Sequence, residues 1–384
     1  MSPLPAPSAL PRHLPGLDVL RALAALAVLL CHALSAVTLW SPAWRSQHPD
    51  AALHTWLGLF NASLGAGGVG LFFVLSGLCI HLPVASAMAQ GAAPQVALRP
   101  YLKRRFRRIY PPHLVALLAS IGLAALLPLA SEGVHPMVST VSWGQLLAHL
   151  ALVHTFFPSA FYSGNHVLWS IAVEAHFYLL FPLVLLARRR LPMARVCLLL
   201  LVGAVALKLA GKGLLEEEAK ALLAQSFLCR LWEWTLGCWV AERLVSGRPA
   251  HAVRLGELVG LLALVLVAGM AMALLPYGAL LRSVVWPLLF AGLIARGARM
   301  HLAPGALLAS IGRASYSLYL VHPLALSATL FALRRWATAE PGQELLFGMA
   351  ASGLLAAAFH RWVERPFLAA AQPGPAVHPH APGV

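Results

Sequence analysis

Apolar runs of bilayer-spanning length recur along the whole chain, separated by short links. A helix of about 20 apolar residues crosses the hydrocarbon core of a membrane. Within each run the apolar positions are continuous and do not alternate with polar ones, which argues against a membrane β-barrel. The runs lie near 17–40, 64–88, 109–130, 143–158, 167–187, 193–211, 226–246, 254–275, 279–296, 305–333 and 343–367. The pattern predicts an all-α, polytopic membrane helix bundle.

The links between the runs predict how the chain crosses the membrane, because Arg and Lys concentrate in cytoplasmic loops. Basic links lie in the N-terminal region around Arg12 and at 99–108, 188–190, 242–254, 296–299 and 360–365. The charge-poor link at 131–142 is predicted outside, so only one of the two runs before 188–190 can cross. We expect 143–158 to be re-entrant or interfacial. About ten transmembrane helices remain, in a bacterial inner membrane with both termini cytoplasmic. The basic stretch at 334–336 contradicts this scheme.

Composition agrees with a membrane protein and narrows the partners. Apolar residues make up 60% of the chain and charged residues 11%, which is not typical of a water-soluble fold. The formal net charge of +15 could suggest nucleic acid, but the Arg residues lie in links between membrane runs, so no nucleic acid partner is expected. We divide the chain into a cytoplasmic N-terminal segment (1–15), a membrane domain (16–368) and a Pro-rich disordered tail (369–384).

The first run holds two side chains that are costly in a membrane, Arg21 and His32. Eleven residues at ~100° each place both on one side of a helix, and a rise of ~1.5 Å per residue separates them by about 16 Å. Ionisable side chains at membrane depth usually face a cavity or a partner. Snorkelling would explain Arg21 alone, and a hydrogen-bonded core position would explain His32. Their shared face favours a functional cavity.

A second cluster, YLKRRFRRIYPP, brings five positive charges to the predicted cytoplasmic start of the third helix. It contains Lys103, Arg104, Arg105, Arg107 and Arg108. Topology signalling and contact with anionic lipid headgroups both explain such a run. The same density suits a phosphorylated ligand, because Arg binds phosphate through two parallel hydrogen bonds. The Pro111-Pro112 pair that follows is expected to set the start of the helix.

The stretch NHVLWSIAVEAHFYLLFPL places Glu174 among aromatic residues, in a run otherwise suited to the membrane. A buried Glu pairs with a cation or has its pKa raised by desolvation. Ser170 lies one turn earlier on the same face, whereas His176 points roughly 200° around the helix. An interhelical ion pair is the structural alternative to a catalytic role for Glu174.

Two further runs carry small or polar residues. In GGVGLFFVLSGLCIHLP the glycines favour close helix packing, and Ser76 could instead bring a hydroxyl group to a ligand. In SIGRASYSLYLVHP, Tyr316, Tyr319 and His322 form a polar stripe at i, i+3 and i+6. A purely structural role for His322, which precedes Pro323, is the alternative to a place in the site.

Taken together, these motifs resemble the acyltransferase 3 family, whose members O-acylate sugars, lipopolysaccharide O-antigens, exopolysaccharides, Nod factors and macrolides. Arg21 and His32 match the family's Arg–x10–His pair. From about residue 15 to 368, further motifs follow in the family's order: GGVGLFFVLSG, RRFRRIYP, LWSIAVEAHFYLLFP, GRASYSLYLVHPL and VERPF. In one departure, Glu174-Ala175-His176 stands where many members carry two adjacent carboxylates. We also expect the chain to act without the fused extracytoplasmic hydrolase-type domain found in some relatives.

The resemblance implies acyl-coenzyme A, commonly acetyl-coenzyme A, as a cytoplasmic co-substrate, no tightly bound cofactor and a carbohydrate or polysaccharide acceptor. His32 would act as general base on the acceptor hydroxyl, or carry the acyl group transiently. Glu174 would orient an imidazole or stabilise charge. The donor phosphates would be held by Arg21, Arg104, Arg105 and Arg108. The pocket would be lined by Ser76, Trp169, Ser170, Tyr319 and His322.

Two other classes of protein fit parts of the pattern. Intramembrane Arg, His and Glu suit a transporter or exporter of a lipid-linked sugar or small molecule, although the inverted repeats of many transporters are not detectable. A membrane protein with a histidine-ligated metal or haem would draw on the 17 His residues. The deep histidines do not pair at i, i+4 on facing helices, so we predict no metal. Binding of coenzyme A separates the enzyme from the transporter.

Overall fold

The computed structural model describes residues 14–246, 254–298, 305–337 and 339–369. Within these ranges the regular structure is helical, apart from one isolated bridge between Val138 and Asn165. The predicted N-terminal segment and C-terminal tail lie outside the described residues, except where they join the membrane domain.

Ten of the described helices contain 19 residues or more and form the bundle. In chain order the helices are α1 (Pro15–Val37), α2 (Pro42–Gln47), α3 (Ala51–Ala89), α4 (Leu98–Leu126), α5 (Trp143–Leu150), α6 (Pro158–Phe161), α7 (Leu168–Arg188), α8 (Met193–Leu214), α9 (Glu217–Gln225), α10 (Phe227–Ser246), α11 (Leu255–Ala273), α12 (Gly278–Gly297), α13 (Ala306–Arg313), α14 (Ser315–Trp336), α15 (Pro341–Phe359) and α16 (Arg365–Ala369). Short 3₁₀ turns lie at Leu129–Glu132 and His154–Phe156, and a π-helical turn joins α15 to α16.

Nine of the long helices are apolar enough to cross a bilayer in the part of the chain that is described. The tenth long helix, α10, carries Arg230, Glu233, Glu242 and Arg243. It packs between α3 and α8, and its side chains Trp232 and Trp234 are fully buried. Because its neighbours cover it, α10 tolerates charges that a lipid-facing helix would not. The predicted all-α polytopic bundle is confirmed.

Contacts between helix ends show that the long helices alternate in direction. Near the start of α1, Arg21 donates to Cys79 late in α3, so α1 and α3 are antiparallel. Near the start of α14, Ser317 donates to Glu364 just after α15. Ten alternating helices therefore bring the start of α1 and the end of α15 to one side of the bundle. We call this side the first face and the opposite side the second face.

The predicted re-entrant or interfacial segment, 143–158, does not form a spanning helix. It contains α5, a 3₁₀ turn and the start of α6, and none of these exceeds eight residues.

The basic stretch at 334–336 lies at the end of α14, on the second face. This position contradicts the rule that basic residues lie on the cytoplasmic side, and it has a structural explanation. Both carboxylate oxygens of Glu344 accept from Arg334 at 2.7 Å, and the carbonyl groups of Gly133 and Ala36 accept from it as well. The charge of Arg334 is thus satisfied within the fold.

Two helices begin earlier than the hydrophobic pattern predicted. Helix α3 begins at Ala51 because the carboxylate of Asp50 caps it, accepting from the backbone N–H of Ala52 at 2.8 Å. Helix α4 begins at Leu98, so the basic cluster is itself helical and Pro111 and Pro112 lie inside the helix. The expectation that the proline pair sets the helix start was wrong. An apolar-run criterion begins too late in α4, whose first turns are basic, and in α3, whose first turns are interrupted by His54, Thr55 and Asn61.

The crossing of α3 and α10 is the closest helix contact beside the site. A Cβ atom added at Gly77 would overlap the carbonyl oxygen of Trp234, and one added at Gly237 would overlap the carbonyl oxygen of Val74. The two backbones can therefore meet only without side chains at these positions. This approach brings the indole of Trp234 within hydrogen-bonding distance of Ser76.

Candidate active site

A cavity of about 220 Å³ opens between α1, α3, α4, α7 and α14, in the half of the bundle near the first face. Its polar wall combines cations with hydroxyl groups and one carboxylate. These lining residues are Arg21, Ser76, Arg105, Arg108, Ser170, Glu174, Tyr178, Ser315, Tyr316 and Tyr319. The five helices thus bring motifs that are up to 298 residues apart in the chain around one space. We call this space the donor cavity, after the co-substrate that the family resemblance implies for its arginines.

Three of the four predicted phosphate-binding arginines line the donor cavity. Arg21 is held by Oδ1 of Asp18 at 2.6 Å and donates to Sγ of Cys79 at 2.9 Å. Arg105 and Arg108 lie three residues apart on one face of α4, where the guanidinium of Arg105 stands 5.8 Å from the ring of Tyr178. Arg104 is exposed and does not line the cavity. Because the basic cluster forms one continuous helix, Arg105 and Arg108 point into the cavity while Arg104 points away from it.

Glu174 lies in the donor cavity, and its described partners are hydroxyl groups. Its Oε1 accepts from Ser76 at 2.5 Å and from Tyr178 at 2.6 Å. Ser76 in turn accepts from the indole N–H of Trp234 at 3.2 Å. No described imidazole hydrogen-bonds to this carboxylate, so the first of its two predicted roles, orienting an imidazole, has no contact here, and the second, stabilising charge, stays a prediction. Glu174 fixes the two hydroxyl groups beside the arginines.

Tyr319 and Ser170 close the donor cavity toward the second face. Their hydroxyl oxygens lie 2.7 Å apart, and both residues are buried. The ring of Tyr319 also packs edge-on against Phe72, with centroids 5.9 Å apart. On the far side of Tyr319 the ring of His322 follows at 6.0 Å. The hydroxyl pair therefore separates the arginine-lined cavity from a group of histidines.

His32 and His322 form a hydrogen-bonded pair whose proton positions follow from the helices that carry them. The Nδ1 atom of His322 lies 3.0 Å from the carbonyl oxygen of Leu318, which can only accept, so Nδ1 carries the proton and Nε2 has a lone pair. That Nε2 lies 3.1 Å from Nδ1 of His32, which itself lies 3.1 Å from the carbonyl oxygen of Val28. Both neighbours of this Nδ1 are acceptors. The Nδ1 of His32 therefore carries the proton, and its Nε2 is left as a base.

The second-face side of His32 is lined by aromatic rings that the sequence analysis did not single out. The ring of His166 lies edge-on at 5.9 Å and that of Trp40 at 6.1 Å, with His135 stacked on Trp40 at 4.2 Å. Burial lowers the pKa of His166 to about 3, so this ring is neutral. Trp40 and His135 lie in links between the long helices, where hydrophobic periodicity carries no signal. His166 was visible in the quoted stretch but lies before α7 begins.

Trp169 and His322 were predicted to line the pocket, and they stand behind it. Trp169 is buried and stacks on Phe161 with ring centroids 5.7 Å apart, beneath the guanidinium of Arg230. His322 is buried behind Tyr319 and supports His32. The cavity wall instead includes Tyr178 and Tyr316, one turn from Glu174 and from Tyr319 respectively. Their i, i+4 and i, i+3 spacing was the signal available for them.

The fold and the site define a multi-pass membrane bundle with a cationic, hydroxyl-lined cavity that ends below a histidine base. Residues 14–361 match the family described as an acyltransferase domain, and the chain belongs to this family. Acyltransferase MdmB of Streptomyces mycarofaciens is 33% identical over 187 residues, which are 48% of this chain and 42% of that protein. O-acetyltransferase OatA of Staphylococcus aureus is 28% identical over 181 residues, 46% of this chain and 25% of that protein. No solved structure matches the chain.

The matched stretches cover less than half of each of these relatives. A putative O-acetyltransferase of Staphylococcus aureus (strain COL), 27% identical over 178 residues, is likewise matched over 25% of its length. The substrates of these proteins can therefore be assigned to the present chain only as a proposal.

Proposed function

We propose that this chain is a membrane-embedded O-acyltransferase. It moves an acyl group, in the simplest case acetyl, from acyl-coenzyme A to a hydroxyl of a carbohydrate-type acceptor, through the membrane domain at 16–368. Membership of the acyltransferase family supports this proposal. The observation that carries it is the position of His32, a neutral base that stands behind Tyr319 at the closed end of the arginine-lined cavity.

The donor is assigned to the first face. Arg21, Arg105 and Arg108 give the donor cavity three guanidinium groups, and guanidinium groups bind phosphate oxygens in pairs of parallel hydrogen bonds. The basic links at 99–108 and 188–190 lie at this face, which by the charge rule is the cytoplasmic side of a bacterial inner membrane. Both described ends of the chain then lie in the cytoplasm. The exposed Arg104 is left to meet the donor or lipid headgroups at the mouth of the cavity.

The chemistry follows from the tautomer of His32. Nε2 takes the proton of the acceptor hydroxyl as its oxygen attacks the thioester carbonyl carbon. The new C–O bond forms and the C–S bond breaks, so the acyl group passes to the acceptor. The coenzyme A thiolate leaves and takes the proton from the imidazolium ring. His322 accepts from Nδ1 of His32 and stabilises the charged ring while it holds the proton.

The other polar groups position the thioester on its way to His32. Glu174 holds the hydroxyl groups of Ser76 and Tyr178 along the cavity wall. The hydroxyl pair of Ser170 and Tyr319 must separate for the acyl group to reach His32. The acceptor approaches from the second face, past His166 and Trp40.

The first test compares His32→Ala with wild type in donor binding and in turnover of acetyl-coenzyme A by purified protein in detergent. Removing a general base is expected to lower turnover about 10²- to 10⁴-fold, while donor binding stays within about twofold because the arginines remain. Arg105→Gln combined with Arg108→Gln is expected to weaken binding instead, by roughly tenfold for each charge-assisted bond lost.

His176→Ala is the matched control, because this half-buried histidine contacts Phe156 and Phe227 and not the cavity. It should retain wild-type turnover. If wild type neither binds nor turns over any acyl-coenzyme A, the enzyme proposal fails. Full turnover by His32→Ala would remove His32 from the chemistry and leave the family assignment intact.

A further inference from the structure

A second and larger cavity, of about 500 Å³, lies near the second face between α3, α8, α9, α10 and α12. None of its lining residues lines the donor cavity. Its charged members are five cations and two carboxylates: Lys208, Lys212, Lys220, Arg230, Arg282, Glu217 and Glu233. Two ion pairs, Lys220 with Glu217 at 2.8 Å and Arg230 with Glu233 at 3.2 Å, account for both carboxylates. The cavity therefore holds three positive charges in excess.

The excess cations form no ion pair with any described residue. Lys212 packs over the ring of Tyr277, with Nζ 3.7 Å from the centroid, and the guanidinium of Arg282 lies 5.3 Å from the ring of Trp286. Within the described residues, the buried Nη1 of Arg282 and the buried Nε of Arg230 have no hydrogen-bond acceptor. Such donors are costly to leave unpaired in a low-dielectric setting. A bound acceptor group would satisfy them.

The depth of these cations suits a group at the level of lipid headgroups. Lys208 lies six residues before the end of α8, and Arg282 lies four residues after the start of α12. At ~1.5 Å per residue they stand about 9 Å and 6 Å inside the second-face helix ends. The polar headgroup layer of a bilayer leaflet has a similar thickness of roughly 5–8 Å. Uncharged lining residues such as Leu209, Trp286 and Phe290 offer apolar contact beside the charges.

We propose that this second-face cavity binds the phosphate group of an anionic ligand. Phosphate matches the donors: Arg230 and Arg282 present planar forks, and Lys208 and Lys212 add point charges. A phosphate group carries about one to two negative charges and offsets much of the excess of three cations, whereas a neutral sugar offsets none. The ligand is either a bilayer lipid with an anionic headgroup or a phosphate-bearing molecule that arrives from the second face.

The second cavity also touches the proposed reaction path at two points. The guanidinium of Arg230 lies 5.6 Å from the ring of Phe73 and 5.9 Å from that of Trp169, and Phe73 lines the donor cavity. From α9, Gln225 donates to the hydroxyl of Tyr162 at 2.6 Å, and Tyr162 stacks on His166 at 4.5 Å. A phosphate anchored here would hold the rest of its molecule near the histidine cluster. This link to acyl transfer rests on the proposed function, whereas phosphate binding does not.

The test measures binding of inorganic pyrophosphate to the purified full chain in a neutral detergent, by calorimetry, with no acyl donor present. Every sample, including the one called wild type in this test, carries Arg105→Gln and Arg108→Gln, because the arginines of the donor cavity are themselves expected to bind pyrophosphate. We expect wild type to bind and the double variant Lys208→Met/Arg282→Gln to bind roughly tenfold more weakly per cation removed. Arg195→Gln is the control, because Arg195 is an exposed cation at the first-face end of the same helix α8. It should bind as wild type does.

A second arm separates the two sources of phosphate and guards against misfolding. In nanodiscs, competition by phosphatidylglycerol but not by phosphatidylcholine assigns the site to an anionic lipid, and pyrophosphate binding that survives both lipids assigns it to a phosphate-bearing molecule from the second face. The double variant should melt at or above the wild-type temperature without ligand, because it removes two half-buried cations that have no ion-pair partner among the described residues. Equal pyrophosphate affinity in wild type and double variant, or binding of neither probe, overturns the proposal, whatever the outcome of the His32 experiment.

Discussion

Two main-chain carbonyls set the chemistry of the histidine pair. Val28 and Leu318 each lie one helical turn before a histidine and present an acceptor to its Nδ1 atom. In the opposite tautomer, the Nδ1 lone pair of each ring would face a carbonyl oxygen, and buried acceptors without donors are costly. The backbone thus fixes which nitrogen of His32 carries its proton. Such backbone control of the tautomer is a recurrent way of orienting a reactive imidazole.

Replacement of His322 tests this positioning. His322→Leu removes the acceptor for Nδ1 of His32 and with it a hydrogen bond worth ~1 kcal/mol, so kcat is expected to fall about fivefold with little change in the KM for the donor. His322→Gln retains an oxygen acceptor and should recover part of the loss. Steady-state kinetics of acetyl-coenzyme A turnover against pH provide the readout, with the acidic limb, where His32 takes up a proton, shifted in the Leu variant. Equal kinetics for the Leu and Gln variants would show that His322 only fills space.

At the residue scale the sequence singled out Arg21 and His32, whose roles stay predictions, but not the residues that surround them. Arg21 and His32 could be identified because helix geometry alone places residues eleven positions apart on one face. This inference needs no knowledge of the neighbouring helices. Arg104 was grouped with Arg105 and Arg108 because adjacent charges were treated as one patch, and the helix turns it outward. The ring of Trp40 reaches His32 only through tertiary packing of a link. No local pattern predicts such a contact.

At the element scale, the crossing of α3 and α10 decides where Ser76 stands. Gly77→Ala would force the two backbones apart at the carbonyl oxygen of Trp234, and overpacking of this kind costs about 1–3 kcal/mol. We expect the melting temperature in detergent to fall by several degrees and turnover to fall with it, since the indole of Trp234 then leaves Ser76.

Gly122→Ala provides the control for that substitution. Gly122 also lies within a long helix, but an added Cβ meets nothing within 4 Å. Its melting temperature should stay level or rise slightly, because Ala favours the helix over Gly. If the two variants had the same melting temperature, the close approach of α3 and α10 would contribute nothing to stability.

The positions of the helices could be predicted from hydrophobic runs only where a helix faces lipid, because contact with lipid requires apolar side chains. Helices that face lipid, such as α8 and α11, consist mainly of apolar residues, with charged side chains only toward their ends, and their bounds match the predicted runs. Helix α10 buries Glu233 inside the bundle and keeps Arg230 and Glu242 partly buried, and α3 extends beyond its predicted run to a capping aspartate. In both cases neighbouring protein or water, and not lipid, sets the local composition. Hydrophobicity alone therefore does not predict that α10 is a buried helix of the bundle, and it does not predict where α3 begins.

At the scale of the whole molecule, buried histidines outside the membrane helices tie stability to pH. Burial lowers the pKa of His149 to about 4 and that of His154 to about 2, and the two rings stack with centroids 3.8 Å apart. In the unfolded chain a histidine has a pKa near 6.5. Below that pH the unfolded state binds more protons than the folded one, so stability is lost as the pH falls and is fully present above about 7.

We therefore expect the melting temperature in detergent to fall between pH 7 and pH 5. His154→Phe keeps an aromatic ring against His149 and removes one of the groups that must stay neutral, so its melting temperature should depend less on pH. His48→Phe, a change at an exposed histidine, should leave the slope unchanged. A wild-type melting temperature that is flat over this range would mean that these rings accept protons in the folded state.

The hydrogen bond between Ser170 and Tyr319 has a further consequence for a cell that keeps a voltage across its membrane. A bundle that admits a charged donor from one side and a polar acceptor from the other would conduct protons if the two spaces joined. Each elementary charge that crosses dissipates ~2.3 kcal/mol per 100 mV. With its two hydroxyl oxygens 2.7 Å apart, this contact leaves no room for a water molecule between the donor cavity and the histidine group. Under the proposed two-sided reaction, the closed contact would keep water from joining the two compartments and would so protect the ion gradient between them.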